Sequence, residues 1–147
     1  DKSADFPEQA AAAGEPIARQ WLGMVGVVLA ELVFERIETI YAGRRALPHR
    51  GEAYANSTAD HEYRGTLLQR VVIGQRVGQM FADARCRTML VKPFEQALAV
   101  LIQRSGSTEL AARLLHENGE LQDGLVVSSK LRAAPALGAA VAAFCSL

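Results

Sequence analysis

An all-α fold, a bundle of five to six helices built around two long antiparallel central ones, is what this sequence predicts. Three observations carry it. Alanine occurs 25 times while aromatic residues make up only 6% of the 147-residue chain, a composition that favours helices over sheets. Apolar residues recur at three- and four-residue steps along most of its length. The run from Pro16 to Gly43, finally, carries the start and stop signals of one long helix.

Residues 1–15 read as an Ala-rich tail or a short docking helix opened by Phe6 and Pro7, and residues 16–147 as a single α-helical domain. Pro16 suits a first helical turn, where its missing N–H costs nothing, and Gly43 supplies the left-handed residue that commonly ends a helix. About 27 residues at roughly 1.5 Å each make a rod of roughly 40 Å, the spine of the bundle. Ile17, Trp21, Met24, Val25, Val28, Leu32, Ile37, Ile40 and Tyr41 fall on one broad face, which is expected to turn inward. Gly23, Gly26 and Ala30, three and four apart, mark a place where another backbone can approach closely.

From Gly43 to about Ala55, two glycines, a proline and several basic side chains predict an exposed loop. Asn56, Ser57 and Thr58, with Asp60 three residues after Ser57, resemble a helix cap, and a second long helix is expected from there to about Arg87. It would bury Tyr63, Leu67, Val71, Val77, Met80 and Phe81, and cross the first helix at Gly74 and Gly78. Pro93 opens a third helix whose inward face is Phe94, Ala97, Leu98, Leu101 and Ile102. Ser107 caps a short helix carrying Leu110, Leu114 and Leu115, with Asn118 and Gly119 as its stop. Leu125 to Val127 fits a short strand or a helical turn, and helix or loop is preferred because no second strand with matching alternation is visible. After Pro135, Leu137, Val141, Phe144 and Cys145 share a stripe that predicts a final packed helix.

Charge bounds the function. Formal net charge is zero, which argues against a general nucleic-acid binder, since phosphate neutralisation needs an excess of Lys and Arg. The distribution is uneven: residues 1–43 carry seven acids and three bases, residues 44–104 ten bases and five acids. No run of about 18 continuous apolar residues exists, so no membrane span is expected and the chain reads as soluble. It begins at Asp1 rather than Met, which fits a processed secreted chain and an excised domain equally.

No constellation for catalysis, metal or cofactor binding is visible. His49, His61 and His116 lack a second ligand at the i+3 or i+4 spacing that a helical metal site uses, and Cys86 and Cys145 lack a C-x-x-C spacing. Cys86 is flanked by Arg85 and Arg87, which would lower a thiol pKa, but no histidine lies near it in sequence. The segment Gly74-Gln75-Arg76-Val77-Gly78 lacks the ending of a phosphate loop. Asn56-Ser57-Thr58 fits the glycosylation sequon, which matters only on a secretory route.

The densest exposed polar cluster is Arg44, Arg45, His49 and Arg50, and guanidinium groups pair bidentately with carboxylates or phosphates. The expectation is therefore a non-catalytic interaction or regulatory domain whose basic loop contacts an acidic protein surface or an anionic ligand. A homodimer is compatible with it, because a long amphipathic helix can complete its core with a copy of itself. Two alternatives stand beside it. One is a small apolar ligand held between helices by Trp21, Met24, Met80 and Phe81, and the other is an enzyme without a recognisable motif.

Overall fold

The computed structural model describes residues 6–56 and 63–129. The second helix of the chain, α2, runs from Pro16 to Ala42, and Gly43 ends it with φ +83°, as the Pro and Gly signals predict. Before it stands α1 (Phe6–Ala12). After it come two 3-10 turns, Arg44–Ala46 and Pro48–Arg50, and the short α3 (Glu52–Asn56). The remainder is β1 (Val71–Ile73), α4 (Gln75–Ala82), a 3-10 turn Ala84–Cys86, a π turn Arg87–Val91, α5 (Lys92–Arg104), α6 (Thr108–Leu114) and β2 (Val126–Ser128). The protein is mostly helical, with one small parallel two-stranded sheet added to the expected bundle.

The centre of the packing is the contact between α2 and α5. A Cβ placed on Gly26 would stand 2.6 Å from the Leu90 carbonyl oxygen and 3.2 Å from the Phe94 amide nitrogen, so only glycine fits there. One turn earlier a Cβ on Gly23 would clear the Met89 carbonyl at 3.8 Å. The tight helix contact that Gly23, Gly26 and Ala30 predict is therefore present. Around it Ala30 and Ile37 pack with Phe94, Leu98 and Ile102, and α6 closes the core with Leu110 and Leu114. Phe81 of α4 meets Phe94 edge to face, with ring centroids 5.1 Å apart.

Gly23 lies beside Met89 and Gly26 beside Leu90 and Phe94, while Tyr41 at the end of α2 donates to Glu109 at the start of α6, just beyond α5. The expected pair of long central helices is not what forms, and the partner of α2 in the core is α5. The reason is that the expected second long helix does not form. Val71, Val72 and Ile73 are three consecutive β-branched residues, stiff at χ1 and suited to a strand, and they pair in parallel with Val126, Val127 and Ser128. Each strand is the partner that the other lacks in a linear reading. Between α2 and α5 the chain thus carries a strand and a short helix, and α4 packs on both strands of the sheet. Gly78 packs its bare Cα on the Ile73 carbonyl rather than on α2.

The inward face of α2 also differs from the expected one. Leu22, Gly26, Ala30 and Ile37 are buried; Ile17, Trp21, Met24, Val28 and Leu32 are exposed. This helix is apolar on nearly all sides, so periodicity alone cannot say which side faces the core. Close backbone approach decides it, and selects the side with the smallest residues.

Local chemistry explains the other elements. Pro93 has no N–H for the Met89 carbonyl, and the chain before it widens into a π turn in which the Lys92 amide donates to the Arg87 carbonyl. Ser107 caps α6 by accepting from the Leu110 amide at 3.2 Å, as its sequence position predicts. The helix ends at Leu114, and Gly119 instead shapes the turn between the paired Leu115 and Leu121. Against the core sits α1, where Arg19 Nε donates to the Ala11 carbonyl at 2.9 Å and the buried Glu8 carboxylate meets Arg76 Nη2 at 2.7 Å. The expected cap at Ser57 to Asp60, His61 and the final helix after Pro135 lie outside the described residues.

Two glycines of one helix give opposite expectations. Gly26→Ala drives a methyl group into the Leu90 carbonyl and is expected to cost about 1–3 kcal/mol, as overpacking does. Gly23→Ala has room and is expected to be neutral or to stabilise by up to about 1 kcal/mol through helix propensity. Urea unfolding of both variants checks the contrast.

Candidate functional site

Burying the small-residue side of α2 leaves its bulky side outside. Ile17, Trp21, Met24, Val27, Val28 and Leu32 are each between 41% and 74% exposed. Apart from the adjacent Val27 and Val28, they follow one another at three- and four-residue steps, a stripe roughly 22 Å long at helical rise. The stripe offers on the order of 600 Å² of apolar surface, at the upper end of what monomeric proteins leave uncovered. Glu31, four residues beyond Val27 and three beyond Val28, shares that face and is also exposed. By length and composition α2 is apolar enough to cross a membrane, with a mean hydropathy of 1.5 over an 18-residue window. This differs from the expectation of no span, because continuity of apolar residues is a stricter condition than a window tolerating two charges.

The basic loop folds back on the C-terminal half of the same helix. Glu35, one turn beyond Leu32, takes His49 Nε2 at 2.8 Å on one carboxylate oxygen and the Arg50 guanidinium on the other. Tyr54 of α3 lies under two guanidinium groups, with Arg44 at 5.4 Å and Arg50 at 5.9 Å from its ring centroid. Arg45 belongs to the same 3-10 turn as Arg44. The sequence groups Arg44, His49 and Arg50 by composition and misses Glu35 and Tyr54, which the fold brings to them. The signal was weak, since Glu35 sits 14 and 15 residues away on another element.

A groove of about 450 Å³ opens beside this cluster, between the C-terminal half of α2 and β1. Its apolar floor comes from Val33 and Ile37 on one side and from Leu68, Val71 and Ile73 on the other. Arg36, Arg50 and Arg70 line it, with Glu35 as its carboxylate.

The expected apolar pocket is placed differently. Trp21 and Met24 belong to the outer stripe of α2, whereas Met80 and Phe81 are half-buried on α4 with Phe81 against Phe94. None of the four lines the groove. Cys86 is fully buried, and burial pushes its thiol above the ordinary range, aided by the charges of Asp83 and Glu8. That outweighs the arginine beside it in sequence. His116 sits in an open depression and reaches Asp123 only at 3.8 Å. Among the described residues no group of three or more His, Cys, Asp and Glu is placed to hold a metal ion.

What this geometry defines is a class: a mostly α-helical domain with an exposed apolar helix face that ends in a charged cluster. Comparison with protein-family models found no matching family, and comparisons with curated proteins and with solved structures found no match.

The Glu35 cluster carries a pH signature. Hydrogen bonds from Arg50 and then His49 hold the Glu35 carboxyl below its ordinary value of 4.5. A carboxyl lowered on folding contributes stability above its unfolded pKa and loses it as pH falls through the folded one. Wild type is therefore expected to exceed Glu35→Gln in thermal midpoint at pH 7, and the gap is expected to close on acidification below 4.5. Melting curves of the two proteins from pH 7 to 3 test this.

Proposed function

We propose that this is a non-catalytic interaction domain that assembles by pairing the outer face of α2 with the same face of a second copy. The observation that carries the reading is the six-residue apolar stripe from Ile17 to Leu32, left uncovered by the fold. Hydrophobic surface of this size, in one line on a rigid helix, is stabilised by another such surface. Two copies would bury on the order of 1,200 Å² in total, the lower limit of a specific, reversible protein interface.

Charge supports a self-pair. The chain is formally neutral, so copies do not repel, and the stripe itself carries no cation to match an acidic partner. Interfacial membrane helices, by contrast, are rich in Lys and Arg on their polar face. Here the flanking charge is Glu31, and Gly26 is fitted to Leu90, which ties the inner face of α2 to protein. In this reading the Arg44, His49 and Arg50 loop, with Glu35 as its anchor, is the polar rim at one end of the apolar strip.

Sedimentation equilibrium tests the proposal. Wild type is expected to dimerise with rising concentration, and Met24→Glu combined with Val28→Glu to remain monomeric with unchanged helical circular dichroism. Both residues are exposed, so the charges do not disturb the core. A wild type that stays monomeric, or a variant that dimerises equally, overturns it. Binding of monomeric wild type to phosphatidylcholine vesicles would replace it with a membrane face.

A further inference from the structure

The groove between α2 and β1 combines two features. Its floor is apolar: Val33, Ile37, Leu68, Val71 and Ile73 line it. Leu32 and Val72, both more than half exposed, stand at its mouth from opposite sides. Its polar wall is cationic. Arg36, Arg50 and Arg70 reach it, against the single carboxylate of Glu35, which already accepts from Arg50 and His49. Arg36 and Arg70 have no carboxylate partner among the described residues. The groove thus holds a net positive charge of two beside an apolar bed, with a volume of about 450 Å³ that falls within the range of small-molecule sites.

From this juxtaposition we infer that the groove is a binding site for a medium-chain fatty carboxylate, its aliphatic chain on the floor and its carboxylate on the Arg36 and Arg70 guanidinium groups. Guanidinium forks match a carboxylate bidentately, and a carboxylate is the group that the local charge lacks. The aliphatic chain gains by leaving water for the valine, leucine and isoleucine bed, while a short acid would gain only the screened surface ion pair. Glu35 faces the same space, and its negative charge, tied to Arg50, directs the ligand's carboxylate to the two other arginines. The site is separate from the stripe apart from the shared Leu32 at its border, so it stands or falls independently of dimerisation.

Isothermal titration calorimetry with decanoate, below its micelle-forming concentration, tests the site. Decanol, decyltrimethylammonium and acetate serve as the uncharged, cationic and chainless comparisons. Decanoate is expected to bind at least about tenfold more tightly than each of the three, with affinity falling as salt rises. Arg36→Gln combined with Arg70→Gln is expected to weaken decanoate about tenfold or more and to leave decanol unchanged. Both positions are exposed, so the fold should survive, and circular dichroism verifies that it does. Val71→Asp on the groove floor is the second probe and is expected to abolish decanoate binding. The Met24→Glu, Val28→Glu variant, by contrast, should bind decanoate as wild type does, which separates this site from the stripe. No decanoate binding, equal binding of decanol and decanoate, or an undiminished Arg36, Arg70 double variant overturns the assignment.

Discussion

One contact organises the molecule: the backbone of α2 at Gly26 resting against the Leu90 carbonyl at the entry to α5. Side chains are absent from one side of that contact, so the two helices approach far more closely than bulky residues would permit. The consequence reaches both faces of α2. The small-residue side must point inward, and the large apolar side chains must therefore point out. Had a leucine stood at position 26, α2 would be held away from α5 and could rotate its bulky stripe toward the core.

The same contact fixes what lies around it. The entry to α5 lies beside the middle of α2, and the chain between the two helices carries β1 and α4, which pack on each other. The groove with its arginine wall opens between β1 and the C-terminal half of α2. The basic loop is anchored at the same groove, where Glu35 gathers His49 and Arg50. Stripe, charged cluster and groove therefore lie along one helix, and each is a product of how that helix is seated.

Much of the helical content was legible in the sequence, and specific residues show why. Pro16 and Gly43 bound α2 because their backbone chemistry acts locally, and Ser107 caps α6 for the same reason. Gly26 also announced a close contact. What failed was every inference that needed a partner distant in sequence. The pairing of Val71 to Ile73 with Val126 to Ser128 spans 55 residues, and neither segment alone distinguishes a strand from a turn of helix. The inward side of α2 was unreadable for a different reason, since a helix apolar all round has no periodic signal to read. At the candidate site, the loop arginines and His49 stand out by composition, whereas Glu35, Tyr54, Arg36 and Arg70 join them only through the fold.

Trp21 is the only tryptophan of the chain and stands half exposed in the middle of the stripe, so it reports directly on whether that face is covered. The decisive measurement is its fluorescence emission maximum across a dilution series of the wild-type protein. If two copies pair through α2, emission shifts from the wavelength of a water-exposed indole toward that of a buried one as concentration rises. An emission maximum that stays water-exposed over the whole range, up to the highest soluble concentration, would contradict pairing through this face.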